Sequence, residues 1–126
     1  MKNVITSASA PAPIGPYSQA VQAGNMLFVS GQIAIDPATG ELMTSDLETE
    51  THQVLKNLRA LLHEAGYDFN DIVKTSIFLK DMSLFQKVNE VYGSYFQNEF
   101  PARETVAVAG LPKNVNVEIS VIAYKF

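Results

Sequence analysis

The last strand of this sequence is apolar on both of its faces, and that limits what the chain can build. Val117, Ile119, Val121 and Ala123 share one parity, while Ile122 and Tyr124 occupy the other. Successive side chains of a strand point to opposite sides of a sheet, so both sides of this one need cover. Only two helical segments precede it. Asp46–Ala65 places Leu47, Val54, Leu55, Leu58, Leu61, Leu62 and Ala65 along one helical face, with Ser45 and Glu48 as a capping box and Gly66 as terminator. Ser83–Gln97 is the second, with Ser83 and Gln86 as its capping pair and Phe85, Val88, Tyr92, Tyr95 and Phe96 as its buried stripe.

Strand signals fill most of the remainder. Lys2–Thr6 reads as a short edge strand. Ala20–Ala23 and Met26–Gln32 flank Gly24-Asn25, a type II′ hairpin turn. Ile72–Lys80 alternates, with Val73, Thr75, Ile77 and Leu79 on one face. Pro101–Ile119 reads as strand, turn, strand, broken by Gly110 and Pro112. The order predicts an α+β fold, one mixed sheet with two helices on one face. Two helices leave the other face bare, and a second copy of the chain is the expected cover.

A length of 126 residues predicts one domain spanning 1–126. The absence of cysteine removes disulfides, thiolate metal sites and a thiol nucleophile. The formal charge is −4 and the basic residues are scattered singly, which argues against a nucleic-acid partner. No apolar run is long enough to span a bilayer, and the N-terminus lacks the apolar core of a signal peptide, so a cytoplasmic protein with no membrane partner is expected. His52 and His63 lie on one helix about 16 Å apart, too far to share a metal, and read as surface residues. There is no glycine-rich phosphate loop, no G-x-S-x-G and no cluster with metal-ligand spacing. Chemistry without metal or cofactor is the expectation.

The candidates that remain are few. Arg103 opens one of the last strands and Glu118 lies in the other. An Arg fork grips a carboxylate through two parallel hydrogen bonds, and a Glu on a buried strand can orient water or take its proton. Tyr17 is delivered by the stiff Gly15-Pro16 corner. Ser30-Gly31 marks either a bulge or a place where other atoms approach the backbone. Thr105 is a small polar residue close to Arg103. Asn89, beside the stripe of the second helix, is either a surface amide or part of a cleft.

Gly15-Pro16-Tyr17-Ser18-Gln19-Ala20, Ser30-Gly31-Gln32, Val88-Asn89-Glu90-Val91-Tyr92, Pro101-Ala102-Arg103 and Leu111-Pro112-Lys113 followed by Val117-Glu118-Ile119 together resemble the reactive intermediate deaminase family, Rid or YjgF, and its RidA branch. These pieces span nearly the whole chain in the family's order. The resemblance implies a chorismate-mutase-like fold, a homotrimer with clefts between subunits, and hydrolysis of enamines and imines such as 2-aminoacrylate and its 2-imino tautomer to 2-keto acids and ammonia, without cofactor. It implies that Arg103 binds the substrate carboxylate, that Glu118 positions or activates the attacking water, and that Tyr17, Ser30, Gly31 and Asn89 shape the pocket. Thr105 departs from the family's frequent Cys, so no side-chain thiol is available, and any role of position 105 falls to its backbone or its hydroxyl. A non-catalytic protein that binds a small keto acid or amino acid in the same cleft is the alternative. A ribonuclease or translation inhibitor, a role attached to relatives, fits the acidic charge and the missing histidine acid–base pair poorly.

Overall fold

The computed structural model describes residues 1–126. Its strands are β1 (Asn3–Ile5), β2 (Ala20–Ala23), β3 (Met26–Gln32), β4 (Ile72–Leu79), β5 (Ala102–Ala107) and β6 (Val117–Tyr124), with helices α1 (Leu47–Glu64) and α2 (Phe85–Gly93). The strands form a single sheet in the order β1-β2-β3-β6-β4-β5. Only β4 and β5 pair in parallel; every other neighbouring pair is antiparallel. The chain passes from β3 through α1 to β4, and from β4 through α2 to β5. β6 then returns and inserts between β3 and β4.

Both helices lie on one face, as the order of elements predicts. Val117, Ile119, Val121 and Ala123 of β6 are buried beneath them, against Val54, Leu55, Leu58, Leu61 and Leu62 of α1. Two buried polar side chains fix α1. Glu50 accepts hydrogen bonds from the backbone N–H and side-chain amide of Asn116, at 2.8 and 2.7 Å, and so ties the start of α1 to the entry of β6. Asn57 donates to the carbonyls of Ile33 and Ile35. α2 lies beside α1, with the Tyr92 hydroxyl donating to Thr75 Oγ1 of β4 at 2.9 Å.

Local details both follow and depart from the sequence. The β2–β3 hairpin has the predicted bounds, and of its two turn residues only Gly24 has a positive φ, 59°, which is the pattern of a type II′ turn. The α1 cap is Asp46, not Ser45: its carboxylate accepts from the Thr49 N–H at 2.7 Å, which leaves Ser45 outside the helix. α2 is shorter than Ser83–Gln97. Asp81 caps a 3-10 turn at Met82–Leu84 by accepting from the Ser83 N–H, and the α-helix proper begins at Phe85 and ends at Gly93. Val73 does not join Thr75, Ile77 and Leu79 on the buried face, because a bulge between Ile72 and Lys74 turns it outward. His52 is no plain surface residue: it is half-buried, with Nδ1 2.7 Å from the Tyr95 hydroxyl. No helix is long and apolar enough to cross a membrane.

The opposite face of the sheet is open. Phe28 and Val106 are 43% and 44% exposed there, and Phe78, Ile122 and Tyr124 are half-buried. Ser76, Lys74 and Glu104 add a polar group on the same face. Lys74 pairs with Glu104 at 3.0 Å, and the Ser76 hydroxyl donates to Glu104.

Candidate active site

Glu118 lies on the open face, beside Phe78 of β4 on one side and the irregular end of β3 on the other. The β3–β6 register shifts between Val29 and Gln32, and Gly31 sits inside the shift. A Cβ at Gly31 would lie 2.8 Å from Glu118 Cδ and 3.1 Å from its Oε1. Bulge and close approach, the two explanations for a glycine here, therefore coincide: the backbone bends, and the carboxylate of Glu118 rests against it. Burial raises the Glu118 pKa above the usual carboxylate value, with no hydrogen bond or counter-charge in the protomer to offset it.

The long N-terminal loop supplies the other wall of this cleft. Gln19 is the clamp. Its side-chain oxygen accepts from the Ser7 N–H at 2.8 Å, and its amide donates to the carbonyls of Ser7, Ala10 and Pro11. The Ser30 hydroxyl donates to the Ser18 carbonyl at 2.6 Å, which pins the end of the loop to β3 and employs the Ser30 hydrogen in structure. Tyr17 follows the Gly15-Pro16 corner, its N–H bonded to the Gly15 carbonyl and its hydroxyl accepting from the Ile14 N–H at 3.3 Å. The Tyr17 side chain remains 47% exposed. Tyr17, Gly31 and Glu118 thus line one cleft, with Gln32, Ile35 and Pro112.

Arg103 belongs to a different surface. β5 pairs in parallel with β4, which sets Arg103 beside Thr75 and Thr105 beside Ile77, on the helix side of the sheet. Arg103 Nη1 donates to Asn89 Oδ1 at 2.6 Å, and the guanidinium lies over the rings of Tyr92 and Phe85. Arg103, Asn89, Tyr92, Phe100 and Pro101 line a second cleft. Thr105 Oγ1, on the same edge strand, is buried without a hydrogen-bond partner. A buried hydroxyl left unpaired is costly.

β5 and β6 are not hairpin neighbours, because β4 lies between them and the Pro112–Asn114 turn carries the chain across. Arg103 and Glu118 consequently point to opposite faces of the sheet and form no single site within a protomer. The structure brings Tyr17, Gly31 and Glu118 together around one cleft, with Ser30 bracing its loop. It brings Asn89 and Arg103 together around the other, with Thr105 farther along the same strand. Two residues in contact with Arg103, Phe85 and Tyr92, escaped the sequence reading, which assigned both to the apolar stripe of the second helix. Their spacing from Asn89, four residues and three, was the available signal. No group of His, Asp and Glu side chains converges at metal-binding distance.

Comparison with known proteins adds the family context. A family profile described as Endoribonuclease L-PSP matches residues 7–125. A RutC family protein of Pyrococcus horikoshii is 55% identical over 125 residues, covering 99% of both chains. A mouse protein named 2-iminobutanoate/2-iminopropanoate deaminase is 48% identical over 123 residues, covering 98% of this chain and 91% of its own. Among solved structures, a putative endoribonuclease from Thermotoga maritima superposes with a TM-score of 0.97 at 53% identity, covering 100% of this chain and 99% of its own.

Proposed function

From the membership of this chain in the Rid/YjgF family, which its matching profile describes as endoribonuclease L-PSP, we propose that it is an enamine and imine deaminase. It hydrolyses 2-imino acids, the tautomers of 2-aminoacrylate and its homologues, to 2-keto acids and ammonia. The observation that carries this reading is the pair of half-sites on opposite sheet faces. One holds a carboxylate whose pKa is raised by burial. The other holds a guanidinium aligned by Asn89 at the edge of the sheet. A closed trimer completes the site, with the edge of one subunit meeting the open face of the next. The exposed Phe28 and Val106 on that open face support the same assembly.

In this mechanism Arg103 grips the substrate carboxylate and fixes the imine carbon in front of a water held by Glu118. As the water oxygen bonds to C2, Glu118 takes a proton from it, and the nitrogen receives that proton to give a carbinolamine. The hydroxyl then loses its proton to Glu118, the C–N bond breaks, and the nitrogen leaves with that proton as ammonia. Water is the only co-reactant, and Glu118 ends as it began. A raised pKa makes its carboxylate a better proton acceptor than an ordinary glutamate. Neither histidine lies at either cleft, which disfavours the histidine acid–base chemistry of many ribonucleases.

The decisive measurement is ammonia release from 2-aminoacrylate generated in the cuvette by a pyridoxal-phosphate enzyme. Acceleration over the spontaneous rate is expected. A spontaneous rate with intact binding of a 2-keto acid would replace the deaminase with a non-catalytic binding protein. Light scattering on the same sample should give about 41 kDa, three times the 13.8 kDa chain.

A further inference from the structure

Phe85, Asn89 and Tyr92 fall at i, i+4 and i+7 of α2 and form one stripe of the helix. All three meet Arg103. The guanidinium carbon lies 5.7 Å from the Phe85 ring centroid and 5.2 Å from that of Tyr92, and Nη1 bonds Asn89 Oδ1 at 2.6 Å. Tyr92 is itself immobilised. Its hydroxyl donates to Thr75 Oγ1 at 2.9 Å, and its ring packs on Phe96 with centroids 4.9 Å apart.

A guanidinium offers a carboxylate two bidentate edges, Nη1/Nη2 at its end and Nε/Nη2 at its side. Asn89 Oδ1 takes one of the two Nη1 hydrogens and crowds the end of the group, whereas Nε and Nη2 along the side have no hydrogen-bond partner within the protomer. We propose that Phe85, Asn89 and Tyr92 are positioning residues that select this Nε/Nη2 edge for the substrate carboxylate. The two rings hold the guanidinium plane, and Asn89 stops it from rotating to present its end. Asn89 acts through Arg103 and does not contact substrate. The carboxylate must then lie in the plane of the guanidinium, which gives the conjugated, planar 2-imino acid its orientation toward water. Amides and esters of the same acids lack the two equivalent oxygens and are excluded. This inference rests on the reading of Arg103 as the carboxylate-binding residue.

The test uses Phe85→Leu and Phe85→Tyr, with Tyr92→Leu and Tyr92→Phe as a second pair. Leu preserves bulk and removes the ring, whereas Tyr or Phe preserves the ring. Three readouts are taken: thermal melts, the affinity for pyruvate by calorimetry, and steady-state deamination of 2-iminopropanoate. Phe85 is half-buried, so Phe85→Leu should stay folded. The Leu variants should lose on the order of 10-fold in kcat/KM, chiefly in kcat, and bind pyruvate more weakly. The ring-retaining variants should stay within about twofold of wild type. Wild-type values in Phe85→Leu, or an equal fall in Phe85→Tyr, would overturn the proposal. If Tyr92→Leu fails to fold, the Phe85 pair decides alone. A wild type that binds pyruvate without deaminating sinks the deaminase while the pyruvate affinities still judge the positioning stripe; one that neither deaminates nor binds pyruvate sinks both.

Discussion

Gly31→Ala separates the placement of Glu118 from the stability of the fold. The new methyl carbon would stand 2.8 Å from Glu118 Cδ and 3.1 Å from Cγ. Non-bonded carbons sit about 3.5–4.0 Å apart at their optimum, so the carboxylate must withdraw by about 1 Å. The atoms in the way are the far end of a flexible side chain, and Gly31 does not have the left-handed φ that would strain an alanine. Folding should therefore suffer little, the clash being offset by about 0.4–1 kcal/mol from the stiffer unfolded chain. Catalysis should suffer far more, since misplacement of about 1 Å costs on the order of 100-fold in rate. Steady-state deamination and a thermal melt on the same preparation measure both effects. A double variant with Glu118→Gln should be no slower than the slower single variant, because both changes strike one group. Wild-type turnover in Gly31→Ala would show that the position of this carboxylate is irrelevant to the reaction.

Arg103→Lys and Arg103→Ala should both lose most activity and remain folded, with Lys recovering some pyruvate binding and little turnover. Near wild-type turnover in Arg103→Lys would refute the two-bond grip. Glu118→Gln should abolish most turnover, and its melting temperature carries a second signature. Burial raises the Glu118 pKa in the folded state, so the stability tied to its protonated form is complete below the unfolded value and is lost as pH rises through the folded value. The Gln variant has no charge to bury. Its melting temperature should gain on wild type as pH climbs through that window, and a constant difference would remove burial as the cause.

The elements of this fold were legible in the sequence where local chemistry decides them. Gly24-Asn25 between apolar runs places the β2–β3 hairpin, and the Leu repeat places α1. The bare sheet face followed from counting helices against a strand apolar on both parities. The caps were less legible, because Ser45 and Asp46 are both good N-cap residues and only the backbone geometry chooses between them. Val73 shows a similar limit: alternation predicts its side until a bulge resets the count. The division of the site was not legible in the strand patterns themselves. Parity assigns Arg103 and Glu118 to faces of their own strands, but nothing local says that β6 inserts between β3 and β4, or that β5 joins the outer edge in parallel. That arrangement alone sends the two side chains to opposite sides.

The placement of Arg103 and Glu118 on opposite faces has a genetic consequence. If each cleft draws its guanidinium from one subunit and its carboxylate from the next, a lesion in either residue is recessive at the level of the cleft. Subunits carrying Arg103→Ala and subunits carrying Glu118→Gln would each assemble into dead trimers. Denatured together and refolded as an equal mixture, they would form hybrids in which one cleft joins the intact arginine of one parent to the intact glutamate of the other. Random assembly of a three-membered ring restores about one quarter of the clefts. Two inactive alleles would then complement each other in one cell, although neither chain alone carries a working pair.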